Sequence, residues 1–178
     1  MLKKILLGLV VVILLFAGFV ATRPSHYHMV RELKMNATPD KIFPYLNSSK
    51  LMDSWGPWRE VDPSVQMSMS GPEQGVGAVS SWDSKGQMGT GKATIVESVS
   101  NDHVTTKIEY TRPPMTQMST MSIRGDGDGS IVSWSVDGDK NFIFKAMCVF
   151  RSMDKTVGPL FEKGLSNLKA KVEATHSQ

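Results

Sequence analysis

The feature that most constrains this chain is a long apolar stripe near its C-terminal end. From residue 141 to about 174, Met147, Phe150, Val157, Leu160, Phe161, Leu165, Leu168 and Val172 recur at steps of three and four. Such steps place side chains on one face of an α-helix. Lys145, Arg151, Lys155, Glu162, Lys163, Lys169 and Lys171 fall mostly on the other face. Asp139 or Asn141 can cap the start. A helix of about 30 residues is ~45 Å long. It cannot bury its own stripe, so the rest of the chain must supply a broad cover.

A curved sheet is the obvious cover. Residues 27–35 alternate and are rich in β-formers, which predicts a first strand. Asn36-Ala37-Thr38-Pro39-Asp40 reads as a helix start, with Thr38 as cap and Pro39 at the first helical position. Ile42, Phe43 and Leu46 form the apolar side of a short helix, and Pro44 inside it predicts a kink or a second turn. Trp55-Gly56-Pro57-Trp58 reads as a loop carrying two large rings. Strands are predicted at 65–70, 76–83, 89–99, 103–112, 116–124 and 130–137. Gly71-Pro72, Ser84-Lys85-Gly86, Ser100-Asn101-Asp102, Pro113-Pro114 and the glycine-rich 125–129 separate them as hairpin material. Val104, Thr106, Ile108 and Tyr110 share a face, and so do Val132, Trp134 and Val136. Ala93, Ile95 and Val99 share another, with Glu97 among them. One apolar face per strand indicates an antiparallel sheet covered on one side.

The N-terminal segment is of another kind. Ile5 to Ala21 is an apolar run of 17 residues behind Lys3 and Lys4. That reaches the lower limit of a membrane span, ~17–25 residues, and exceeds a usual signal core of ~7–15. Cleavage after Ala21 would want a second small residue where Phe19 stands. The expectation is an uncleaved anchor over 1–22, with a cleaved signal peptide as the alternative. A tether over 23–27, a folded domain over 28–174 and a tail over 175–178 follow. Lys3 and Lys4 favour a cytoplasmic N-terminus, against Arg23, Arg31 and Lys34 just after the span. The domain is accordingly expected outside the cytoplasmic membrane.

Charge and cysteine content exclude several functions. The net charge of +3 is carried by Lys3, Lys4 and Arg23; from residue 24 onward 17 basic residues face 17 acidic ones. A neutral domain argues against nucleic acid, which needs a basic face. Cys148 is the only cysteine, so intrachain disulfides, a CxxC redox pair, thiolate zinc sites and a lipoprotein anchor are excluded.

Several stretches together carry a resemblance. They are residues 36–47 (Asn-Ala-Thr-Pro-Asp-Lys-Ile-Phe-Pro-Tyr-Leu-Asn), Trp55-Gly56-Pro57-Trp58, Asp62-Pro63, and Ser70-Gly71-Pro72-Glu73 with Gly75-Val76-Gly77-Ala78 and Trp82-Asp83. Gly89-x-Gly91 before Ile95-x-Glu97, and Val157-Gly158-Pro159-x-Phe161-Glu162-x-Gly164-Leu165-x-x-Leu168-Lys169, complete the set. In this combination the chain resembles a bacterial, membrane-anchored branch of the START-like SRPBCC superfamily, of polyketide cyclase/dehydrase and lipid transport type. The resemblance covers about residues 28 to 172. It implies an α+β helix-grip fold, START/Bet v 1-like: a curved antiparallel sheet wrapped around a long C-terminal helix. It implies no single function, since the superfamily holds lipid carriers, hormone receptors, cyclases and chaperone activators.

In that arrangement an apolar ligand belongs between sheet and helix. The expected lining is Trp82, Ile95, Tyr110, Met121 and Trp134 from the strands, with Met147, Phe150 and Phe161 from the helix. Trp55 and Trp58 either flap over the mouth or pack the short helix onto the sheet. Glu97 shares the parity of Ile95 and is the first candidate for acid–base work, with Tyr110 able to orient a carbonyl. Asp83, Glu109 and Arg112 are weaker candidates. No Ser/His/Asp or Cys/His arrangement stands out.

No metal or cofactor is expected. Met67, Met69, Met115, Met118 and Met121 suit adaptable apolar contact. Their spacing also admits Cu(I), but steps of three along a strand send alternate methionines to opposite faces. His26-x-His28 is too short for a metal site without further ligands. Asp126-Gly127-Asp128-Gly129-Ser130 begins like a calcium loop, yet Ile131 stands where glycine is needed and Asp137 where glutamate is, so a hairpin turn is expected.

Three functions are consistent with this sequence. The leading one is a membrane-tethered domain that binds a hydrophobic small molecule or lipid without catalysis. The second is a polyketide cyclase or dehydratase using Glu97 and Tyr110. The third is an envelope-stress or chaperone-type module acting through the sheet's outer face. Pro159 predicts a helix kink near 155–158, with the part before it moving as ligand enters.

Overall fold

The computed structural model describes residues 1–86, 88–111, 114–150 and 152–174. Arg112, Pro113, Arg151 and the tail 175–178, about which the sequence prompted expectations, lie outside the described residues. The first element, α1 (Leu2–Ala21), is apolar beyond Lys3 and Lys4 and touches the domain only near its C-terminal end; only Val20 is buried. Such a helix has no polar face to turn to water.

Seven strands follow: β1 (His26–Met35), β2 (Gln66–Ser70), β3 (Val79–Asp83), β4 (Thr90–Val99), β5 (His103–Thr111), β6 (Pro114–Asp126) and β7 (Gly129–Asp139). They form one sheet in the order β1-β7-β6-β5-β4-β3-β2, every neighbouring pair antiparallel. β2 to β7 are a meander, and β1 closes against the last strand. The glycine-rich stretch is the β6–β7 turn: Asp126 pairs with Gly129, and Gly127 adopts φ +62°. β1 begins at His26, inside the expected tether, and Tyr27 is already a buried core residue.

Between β1 and β2 lie α2 (Pro39–Asn47), α3 (Ser49–Trp55) and α4 (Trp58–Val61). α2 runs through Pro44, and Ile42 and Leu46 are its buried side. Ser48 ends α2 and caps α3, accepting from the Leu51 amide. The Trp55–Trp58 segment is thus no free loop but the junction of two short helices. Both rings meet Trp134 edge-on, at 5.7 and 6.0 Å between centroids. They pack the helices onto the sheet.

The C-terminal stripe is two helices where the sequence predicts one. α5 (Phe142–Phe150) is capped by Asn141, whose side-chain oxygen accepts from the Phe144 amide. α6 (Met153–Ala174) carries Phe161, Leu165, Leu168 and Val172 into the core. The break falls after Phe150, and Pro159 lies inside α6, which is helical from Met153 to Ala174. A clamp spans the proline. Arg31 of β1 donates to Asp154 Oδ1 at 2.7 Å and to Glu162 Oε1 at 2.8 Å. These residues stand at i and i+8 of α6, on one side of it. Gly158 lies midway, and a side chain there would run into the Arg31 guanidinium, with Cζ at 3.0 Å. The turns before and after Pro159 are therefore fastened to the same strand.

Candidate functional site

Strand register decides which side chains enter the concave face. Paired residues of an antiparallel sheet point the same way. One inner row runs Ile95, Thr106, Ser119, Val136, Met29, and the next runs Val104, Met121, Trp134. Ile95, Val104, Met121 and Trp134 are all nearly inaccessible. Trp134 is the hub: it stacks on Phe161 at 4.2 Å and 11°, and its Nε1 donates to Ser119 Oγ at 2.8 Å. Of the expected lining, Ile95, Met121, Trp134 and Phe161 thus share the packed core.

Glu97 does not join them. The register slips between Ile95 and Glu97, so Ile95 pairs with Thr106 while Glu97 pairs with Thr105. A β-bulge at Val96 adds one residue and turns everything after it to the other face. Glu97 is therefore outside and exposed, 3.5 Å from His103 Nε2. Val99 goes out with it, and Ser98 turns in, donating to Asn47 Oδ1 of α2 at 2.7 Å. Asp83 and Glu109 are outside too. Asp83 accepts from Thr90, and Glu109 pairs with Lys107 and Lys92, which hold its carboxyl below the usual range. Met147 and Phe150 also leave the site. α5 lies against α1, and both side chains are exposed, Phe150 by 81%.

The half of the concave face on β2 to β6 is less covered. α6 lies chiefly along β1, with a smaller contact on β7. Inner-face residues farther along the sheet remain part-exposed: Met67 and Met69 on β2, Ala93 on β4, Ile108 and Tyr110 on β5, and Met115 and Gln117 on β6. Trp82 forms the floor, its ring edge-on to Tyr110 at 5.4 Å and its Nε1 donating to the Met88 carbonyl. Gly91 lies beneath, where a Cβ would strike the Trp82 ring and the Glu109 carbonyl. Met118, between Met115 and Met121, points outwards, so the three methionines do not converge.

A polar run crosses this groove that the sequence reading missed. Tyr27 OH donates to Gln117 Oε1 at 2.6 Å, and Gln117 Nε2 donates to Tyr110 OH at 3.5 Å. Gly138 faces Tyr27 across the β1–β7 pair, and a Cβ there would lie 2.6 Å from the phenol oxygen. The glycine makes room for the ring. Burial pushes the Tyr27 phenol up to about 12, and burial raises Tyr110 as well, with the Gln117 bond opposing. Both phenols are neutral at physiological pH. They can hold a carbonyl or hydroxyl but not abstract a proton. By register, the described inner-face positions of β3 to β6 hold no carboxylate. The alternation of Tyr27 with Met29 places Tyr27 on the inner face, but nothing local pairs it with Gln117 ninety residues later.

Two other features lie apart from the groove. A depression of about 570 Å³ between α3, α4 and α6 is lined by Asp53, Arg59, Glu60 and Asn167, on the outer side of the helices. His26 and His28 face Asp139 and Asp137 across the β1–β7 pair, His28 Nδ1 lying 2.7 Å from Asp137. Among the described residues no group of three His, Cys, Asp or Glu has the geometry to hold a metal ion.

Comparison with known proteins supports the architecture. Residues 27–173 match the family described as polyketide cyclase/dehydrase and lipid transport. Norcoclaurine synthase from Thalictrum flavum, solved with dopamine and hydroxybenzaldehyde, is similar at 15% identity and a TM-score of 0.63, over 85% of this chain and 88% of that one. The major latex-like protein 151 of Panax ginseng is similar at 14% identity and 0.59, over 83% and 98%. The Aha1 dimer from Colwellia psychrerythraea is similar at 14% and 0.58, over 83% and 96%. At such identities these structures share the fold alone. No curated protein matches the chain. With a seven-stranded antiparallel sheet, a long C-terminal helix and a family match over nearly the whole domain, the chain belongs to the polyketide cyclase/dehydrase and lipid transport family of the START-like SRPBCC superfamily.

Proposed function

We propose that this chain is a membrane-tethered carrier that binds a hydrophobic small molecule or lipid in the groove over β2 to β6, without catalysis. One observation carries the reading: the inner face of these strands is apolar and only part-covered, while its polar groups are neutral phenols, amides and hydroxyls. Such a surface shields a nonpolar body and fixes one oxygen of it. The family description, lipid transport included, agrees with this reading. The apolar α1, behind Lys3 and Lys4, is the tether, with the domain on the extracytoplasmic side.

The test is native mass spectrometry of the full chain purified in mild detergent, before and after a panel of lipids and polyketides. Bound hydrophobic molecules are expected for the native chain. Ala93→Phe, which places a ring between Ile108 and Ser80 on the inner face, is expected to lose them with its circular dichroism unchanged. Absence of any bound or acquired molecule across the panel overturns the proposal.

A further inference from the structure

α5 has an apolar side that the domain does not use. Ile143, Met147 and Phe150, at i, i+4 and i+7, are 71%, 62% and 81% exposed. Its other side faces the domain through Phe144, whose ring meets Tyr27 edge-on at 6.4 Å. What lies next to the exposed side is α1. Phe150 stacks on Phe16 at 5.8 Å, while Lys145 Nζ donates to the carbonyls of Ala21 and Arg23. α5 therefore runs antiparallel to the end of α1. Phe16 is five residues inside Ala21, about 7.5 Å along the helix axis at 1.5 Å per residue.

The seam between the two helices has the complementary chemistry at its upper end. A pocket of about 310 Å³ is lined by Phe19, Arg23, Pro24, Lys140, Lys145, Cys148 and Val149. Three cations gather there, at the level where α1 ends. Arg23 lies over the Phe19 ring at 4.0 Å, and Lys140 lies 5.9 Å from the Tyr27 centroid. Cations above and bare apolar side chains below repeat the profile of an anionic lipid in the leaflet beside α1. A helix of this kind settles ~5–10 Å into the boundary of headgroups and acyl chains. The depth read from the Phe16 stack agrees.

We infer that α5 is inserted in the leaflet beside α1 and that the α1–α5 seam binds the headgroup of an anionic phospholipid through Arg23, Lys140 and Lys145. The inference rests on α1 being a membrane span. It places α5, and Phe144 against Tyr27 at the end of the polar run, between bilayer and groove.

The experiment uses the full chain in phospholipid nanodiscs. On a Cys148→Ser background, single cysteines at Leu9, Phe150 and Val96 are labelled with a nitroxide, and collision with oxygen is compared with collision with a water-soluble nickel chelate. Leu9 reports the middle of α1, and Val96 the exposed outer sheet face. Oxygen-dominated collisions at Leu9 and Phe150, with nickel-dominated ones at Val96, are expected. An oxygen-rich Leu9 with a nickel-rich Phe150 overturns the insertion and leaves the anchor standing. A nickel-rich Leu9 overturns both. A Phe150 label immobilised and shielded from both reagents means burial in protein, against α1 or a second copy, and also overturns it.

The headgroup is tested in discs of phosphatidylcholine mixed equally with phosphatidylglycerol. Native mass spectrometry of the released chain is expected to show phosphatidylglycerol retained severalfold over phosphatidylcholine. Lys140→Gln/Lys145→Gln is expected to abolish that preference. No preference in the native chain, or one unchanged in the double variant, overturns the headgroup site.

Discussion

Replacing Gly164 by alanine tests the packing that organises this domain. Taken alone, the change favours an α-helix interior by about 1 kcal/mol. Here the new Cβ would lie 2.6 Å from Cζ3 of Trp134 and 3.3 Å from Cδ of Pro57. Carbon atoms settle at about 3.5–4.0 Å, so roughly 1 Å must be opened. The Trp134 ring has little freedom to give way. Phe161 stacks on it, Trp55 and Trp58 meet it edge-on, and its Nε1 is held by Ser119. Overpacking of this kind costs about 1–3 kcal/mol. After the propensity gain, a net loss of about 0–2 kcal/mol is expected where the clash is not relieved. At about 2–4 °C per kcal/mol for a domain of this size, the melting temperature falls by up to about 8 °C. The assay is near-ultraviolet circular dichroism of the full chain against temperature, in one fixed detergent. Trp134→Phe is itself destabilising, yet it removes the ring atoms in the way. In that background Gly164→Ala is expected to be neutral or stabilising by up to about 1 kcal/mol. A single variant that melts higher than the native chain, or a double-mutant cycle additive within about 0.5 kcal/mol, refutes the reasoning.

Further expectations follow from the site. Glu97→Gln should leave uptake of hydrophobic molecules unchanged, because the bulge has turned Glu97 outwards; a loss of binding or turnover would return it to the groove. Tyr110→Phe should weaken ligands bearing a carbonyl or hydroxyl by about 3–10-fold, the worth of about 0.5–1.5 kcal/mol for one hydrogen bond. It should not affect a pure hydrocarbon, and equal weakening of both classes would rule out an orienting role. His103 bonds to Asp102 and then to Glu97, which raises its pKa above the ordinary imidazole value. Its contribution to stability is thus complete below about pH 6.5 and lost as pH rises through the higher folded value. Denaturant titrations at stepped pH should show that loss, and His103→Asn should flatten it. Arg31→Met should change global stability little, since both carboxylate partners are exposed. Hydrogen exchange should nevertheless quicken over residues 153–160 and stay unchanged over 165–172; uniform quickening would mean that Arg31 does not act as a local clamp.

Much of this fold was legible in the sequence because its signals are repetitive. Alternation placed all seven strands to within a few residues, and the step of three and four placed Phe161, Leu165, Leu168 and Val172 on the buried side of α6. Single events that re-sort a pattern were not legible. Nothing in Ile95-Val96-Glu97 announces a bulge, yet one inserted residue moves Glu97 from the best acid–base position to the outer surface. Pro159 carries the local mark of a kink, but nothing local announces that Asp154 and Glu162, on either side of it, both meet Arg31 from a strand over 120 residues earlier. The stripe from Met147 to Val172 has one period throughout, and periodicity says which residues share a face without saying what meets that face. In α6 it meets the sheet. In α5 it meets α1 and open surroundings, so Met147 and Phe150 become surface residues. The same apolar code therefore meets two partners: the sheet for the helix that grips it, and the apolar α1 for the helix that precedes it.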